Sequence, residues 1–213
     1  MQNIKIAASV IALSFALGAG IAHAQFGIPK IPGVGGAASG GSSVKAGDLA
    51  KNARNAMYSF AMANQGLLKA FGGYADLAAN QKLLEGMKIG DAAASKDDME
   101  KIVTLTKSSS DALTAKMAEN AKLDADQKKV AAAATLDYVK GLVASKNLVG
   151  SLQDVAKNPA AMGMDAGVLL YTAKEVPSII STGASTTSSL FKYLGANGVD
   201  LTEAKAAAGG LGV

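Results

Sequence analysis

Residues 48–74 read DLAKNARNAMYSFAMANQGLLKAFGGY. Within them Leu49, Ala53, Ala56, Phe60, Ala63, Leu67, Ala70 and Tyr74 recur at alternating spacings of four and three. That spacing stacks apolar side chains along one face of an α-helix. Met57 and Phe71 widen the face, while Lys51, Asn52, Asn55 and Lys69 lie off it. The pair Gly72-Gly73 bends the helix or ends it before a second piece from Tyr74 to Gly86.

The same reading extends downstream. After a break at Lys88 to Ala94, Ser95-Lys96-Asp97-Asp98 supplies a helix cap with an acid three residues on. The helix behind it carries Met99, Ile102, Thr106, Leu113 and Met117 around a polar middle, Lys107 to Asp111, so its apolar seam is thin. Asp124-Ala125-Asp126-Gln127 is a second start signal. It leads into Val130, Ala134, Leu136, Val139 and Val143, and on through Leu148, Leu152 and Val155 to a stop at Asn158-Pro159. A short connection with Met162, Gly163 and Met164 reaches Asp165, read as a cap for a helix from Gly167 to Leu194. Pro177 inside that stretch predicts a kink or a break. Gly195 and Asn197-Gly198 close it, and Asp200-Leu201-Thr202-Glu203 opens a short terminal helix that fades into a Gly-rich tail. Runs with period two are absent, so strands are not expected. The fold expected is all-α: an antiparallel up-and-down bundle of four to five helices with flexible Gly-rich ends. The bundle occupies residues 48–195, and the short helix and tail occupy 196–213.

The first residues carry a different message. Lys5, the apolar run Ile6 to Ile21 and then Ala22-His23-Ala24 have the three-part layout of a secretory signal peptide over residues 1–24. The run is too short and too rich in Gly and Ala for a membrane span, so no integral span is expected after cleavage. The mature chain then begins at Gln25, in the periplasm or the medium after Sec export. Residues 25–47, with two prolines followed by Gly, Ser and Ala, read as a linker. Its Gly33-x-Gly35-x-x-Ala38 resembles a dinucleotide fingerprint but has no preceding strand and no βαβ context.

Composition narrows the chemistry. Hydrophobic residues make up 49% of the chain but aromatics only 5%, so the core is built from Ala, Leu, Val, Ile and Met. There is no cysteine, and the single histidine, His23, falls in the signal peptide. The formal charge of +4 is spread over scattered lysines with one arginine, Arg54. No basic face interleaved with aromatics marks a nucleic-acid binder.

No catalytic residue emerges. Nucleophilic triads need a base beside the nucleophile, usually histidine. Ser95-Lys96 and Ser145-Lys146 are sequence neighbours on different helix faces. The acid pairs Asp97/Asp98 and Asp124/Asp126 sit at helix starts, where capping accounts for them. No metal or cofactor is expected. Zinc lacks its Cys and His ligands. Asp124-x-Asp126 is followed by Lys128 and Lys129 where a calcium loop needs oxygens and glycine. Met162-x-Met164 offers two thioethers to Cu(I) as the only close pair. The stretch SIISTGASTTSS, residues 178–189, reads as a tight helix–helix contact of small residues, against the alternative of a polar groove or a detachable helix.

The binding residues to test are Phe60, Leu67, Phe71 and Tyr74, which could line a lipid-sized apolar cavity or simply fill the core. The function expected is that of an exported, non-enzymatic protein of the bacterial envelope. It binds an apolar ligand, a lipid surface or a protein partner. A structural or assembly protein tethered by its Gly-rich ends is the rival, and an enzyme of unrecognised type comes third.

Overall fold

A computed structural model describes residues 45–73, 75–87 and 92–212 of the chain. The expected signal peptide and most of the expected linker lie outside the described residues. Helices account for nearly all of the rest: α1 (Ala46–Ala70), α2 (Leu77–Glu85), α3 (Lys96–Ala118), α4 (Ala125–Ala156), α5 (Ala166–Ala196) and α6 (Thr202–Ala208), with a 3-10 turn, Pro159–Asp165, between α4 and α5. There is no strand among the described residues.

The starts and stops follow local chemistry. Ser95 Oγ accepts the Asp98 amide at 3.1 Å and caps α3. At α4 a full capping box forms: Asp124 Oδ1 accepts the Gln127 amide at 2.8 Å, and Gln127 Oε1 accepts the Asp124 amide at 2.9 Å. Each supplies a partner to helix-start amides that have none within the helix. At the end of α1, Gly72 and Gly73 both take positive φ, 92° and 75°, and the Gly73 amide turns back onto the Leu68 carbonyl at 2.7 Å. Glycine enters that left-handed region without a Cβ clash, so the pair ends α1 rather than bending it.

Two expected signals act differently. Asp165 makes no side-chain cap to α5, which grows straight out of the 3-10 turn. Pro177 does not break α5, which continues past it for 19 residues to Ala196. The proline removes one hydrogen bond, to the Ala173 carbonyl, and buried Val176 and Ile179 on either side hold the helix against the core.

The four long helices form a square in the order α1, α4, α5, α3: α1 and α5 each pack against both α3 and α4. Cross-contacts give the directions. Arg54 reaches the Ala93 carbonyl just before α3, and Gln65 reaches Ser109 within it, so α1 and α3 run parallel. Gly66 lies against Ala134, and Met57 against Ser145, so α4 runs the opposite way. Phe60 meets Gly183 and Phe71 meets Tyr193, so α5 is parallel to α1 again. Three long helices thus rise and one descends, where an alternating up-and-down bundle was expected. The cause is α2, residues Leu77–Glu85. It packs back along α1, too short to be a bundle member and with Leu84 its one buried residue, and α3 starts at the end where α1 began, with Ala93 beside Arg54.

The core runs the length of the square from Leu49, Ala53, Phe60 and Leu67 on α1 to Leu190 and Leu194 on α5. On α4 the buried residues include the expected Ala134, Val139, Leu148 and Leu152, and also Ala131, Thr135, Tyr138, Leu142 and Ser145. Val130, expected among them, is exposed. The C-terminal end is not a free tail. Leu201, Ala204, Ala208 and Leu211 are buried, and the Lys146 ammonium donates to the carbonyls of Gly210 at 2.9 Å and Leu211 at 3.3 Å.

Candidate functional site

Phe60, Leu67 and Phe71 are brought together along the inward face of α1, all buried. Tyr74 lies outside the described residues. Protein side chains occupy the ring faces. Phe60 packs on Tyr138 with centroids 4.6 Å apart and planes tilted by 55°, and Phe71 meets Tyr193 edge-on at 5.1 Å. Both are favoured aromatic geometries. Glycines let the backbones close in around them. A Cβ at Gly141 would lie 3.0 Å from the Phe60 backbone, and one at Gly183 would lie 2.7 Å from Leu142 Cδ1 and 3.2 Å from Phe60 Cζ. The Ser/Thr-rich stretch of α5 therefore turns Gly183, Thr186 and Thr187 inward as a close helix–helix contact, and Ser181, Ser185 and Ser189 outward.

Between the two aromatic pairs the core changes character. Asn64 and Gln65 on α1, Thr106, Ser109 and Ser110 on α3, Thr135 on α4, and Thr186 and Thr187 on α5 are all buried polar side chains. Gln65 Nε2 donates to Ser109 Oγ at 2.6 Å, tying α1 to α3. Thr135 and Thr187 turn their hydroxyls back onto the carbonyls four residues earlier, Ala131 at 2.6 Å and Gly183 at 2.8 Å. The Tyr138 hydroxyl donates to the Gly183 carbonyl at 3.3 Å, and burial pushes its pKa up while its hydrogen bond with Thr186 opposes the shift. The set is neutral, with donors and acceptors but no charged side chain. Such groups can hold a small polar molecule or fix the register of the helices.

Arg54 forms the second buried polar feature. Its side chain is 1% exposed. Nη1 donates to the Ala93 carbonyl at 3.0 Å, and Nη2 and Nε donate to Asn55 Oδ1 at 3.1 and 3.3 Å. Burial lowers its pKa, and the negative charge of Asp98 acts in the other direction. The guanidinium thus clasps the crossover segment onto α1.

The remaining sequence candidates separate. Met162 is buried and Met164 fully exposed, so the two thioethers do not converge. Asp124 spends its carboxylate on the α4 cap, and no group of three or more His, Cys, Asp or Glu that could hold a metal occurs among the described residues. Asn64 and Tyr138 escaped the sequence reading, and Arg54 entered it only as the lone arginine. A signal for Asn64 was present. Met57, Phe60, Asn64, Leu67 and Phe71 also recur at spacings of three and four, which puts an amide in the middle of an apolar stripe. Comparison with family models, with curated proteins and with solved structures returns no match for this chain.

Proposed function

We propose that this chain is an exported, non-enzymatic helical protein of the bacterial envelope that binds a protein partner through the end of the bundle where α5 begins. The observation that carries the reading is Met164. It stands fully exposed at the tip of the 3-10 turn, beside Gly163 with φ 53°, while Met162 on the same turn is anchored in the core. Leu170, on the second turn of α5, is a further exposed large apolar side chain. Exposed methionine is an adaptable contact residue, common on partner-binding surfaces. Asp165 and Lys157 nearby in sequence give the region mixed charge, which suits a protein better than an anionic lipid surface. The interior reading, an apolar ligand against Phe60, Leu67 and Phe71, has less support because Tyr138 and Tyr193 already cover those rings.

Native mass spectrometry of the protein taken from its own envelope tests this. The expected result is a stoichiometric complex with another protein, weakened at least tenfold by Met164→Ser with Leu170→Ser while the melting temperature holds. A single copurified lipid with no protein partner would overturn the reading in favour of the interior site. Full-length Met1 on a cytoplasmic protein would overturn the export half of it.

A further inference from the structure

We infer that Asn64 and Thr106 bind an internal water molecule in the middle of the bundle. Asn64 is fully buried and Thr106 is 1% exposed. Both atoms of the Asn64 carboxamide and the Thr106 hydroxyl have no hydrogen-bond partner among the described residues. More than nine in ten buried polar groups of native proteins are satisfied, so three unpaired atoms in one region of a core call for a partner.

Register brings the two residues to one level. Gln65 is bonded to Ser109, and α1 and α3 run parallel. Asn64 is one residue below Gln65 and Thr106 three residues below Ser109, so they differ in height by about 3 Å at 1.5 Å per residue. Asn64 stands one turn above Phe60, and Thr187 one turn above Gly183, which meets Phe60, so Thr187 is level with Asn64 as well. Thr135 is three residues above Tyr138 on the descending α4, and Tyr138 also packs on Phe60.

The surrounding bonds define what the occupant must offer. The hydroxyl protons of Thr135 and Thr187 are committed to carbonyls, which leaves those oxygens as acceptors only. They cannot donate to the Asn64 oxygen. The occupant must therefore donate, and it must also accept from the amide or from Thr106. Water does both at once, with the two to four partners typical of a buried water. Interchange of the amide oxygen and nitrogen leaves the requirement unchanged. An ion is excluded on energetic grounds, since the layer offers no opposite charge to compensate its desolvation. A larger ligand conflicts with the close helix approaches at Gly66, Gly141 and Gly183.

The test is a high-resolution crystal structure of the purified protein, with water-to-protein magnetisation transfer measured by NMR in solution. The expected result is an ordered water at about 3 Å from both the Asn64 carboxamide and the Thr106 hydroxyl. A long-lived water cross-peak at the Asn64 side-chain amide should accompany it. Thr106→Val keeps the side-chain shape, and it should abolish that cross-peak while leaving the fold intact. An Asn64 side chain bonded directly to protein groups with no water cross-peak would overturn the inference, as would a water signal unaffected by Thr106→Val. If that variant does not fold, the wild-type structure and cross-peak decide alone.

Discussion

At the level of single residues, much of this molecule is explained by where a polar atom finds its partner. Asp200 is a clear case. Its Oδ1 accepts from the Thr202 amide at 2.9 Å and from the Thr202 hydroxyl at 2.7 Å, and these bonds hold its carboxyl below the usual aspartate range. A depressed folded-state pKa contributes stability above the unfolded value, near 4 for aspartate, and that contribution is lost as pH falls through the folded value. Thr202→Val removes the hydroxyl and keeps the amide. The Asp200 pKa, followed by carboxyl NMR, should then rise part of the way toward the ordinary value. An unchanged titration would show the hydroxyl bond to be immaterial. The sequence showed Asp200 as a helix-start acid but placed the start one residue early, because the terminus is set by Leu201. Arg54 was legible only as the lone arginine. Its burial depends on a carbonyl 39 residues away, which no local pattern reveals.

At the level of elements, helix faces were readable where apolar residues dominate and misread where small or polar residues do the packing. On α1 the seam from Leu49 to Ala70 is buried as expected, because Phe60 and Leu67 have no other place to go, but Asn55, expected off it, is buried too, where it accepts from Arg54. On α4, apolar identity pointed to Val130, yet Gly141 and Ser145 sit in the contact face because close backbone approach selects for size. Two variant pairs test these faces. Leu67→Asp puts a carboxylate at a fully buried position and should cost about 4 kcal/mol or abolish folding. Lys69→Asp, at an exposed position in the last turn, should cost no more than about 1 kcal/mol. Equal melting temperatures would mean that the seam is not core. On α4, Gly141→Ala forces a methyl against the Phe60 backbone and should destabilise by about 1–2 kcal/mol even after the gain in helix propensity. Gly150→Ala meets nothing within 4 Å and should stabilise by about 0.5–1 kcal/mol. Chemical denaturation of the four variants separates these outcomes, and a neutral Gly141→Ala would refute the close contact.

At the level of the whole molecule, fold class was legible from periodicity and caps, but the path of the chain was not. Helical periodicity says which face is buried and is silent about direction. A nine-residue helix with one buried side chain leaves almost no trace of the crossover it makes. Leu84 packs the crossover onto α1, and the Arg54 clasp fastens its far end at Ala93. Arg54→Ala removes the donors to Ala93 and Asn55 and should cost roughly 2–4 kcal/mol. Native-state hydrogen exchange should show α2 losing more protection than α4. Equal losses along both helices would mean that Arg54 supports the core generally and not the crossover.

The three-to-one arrangement of long helices also has an electrical consequence. The N-termini of α1, α3 and α5 gather at one end with the C-terminus of α4 to oppose them, while α2 and α6 point their C-termini the same way as α4 from partway along, α2 beside Tyr58 and α6 beside Val143. Each N-terminus carries about half a positive charge and each C-terminus about half a negative one, so that end bears about one net elementary charge from the backbone alone. It is the end that holds Met164. Acids in the first turns at this end, Asp48 on α1 and Asp97 and Asp98 on α3, offset that positive charge, so helix termini and side chains balance one another there, and salt weakens both by shortening the screening length.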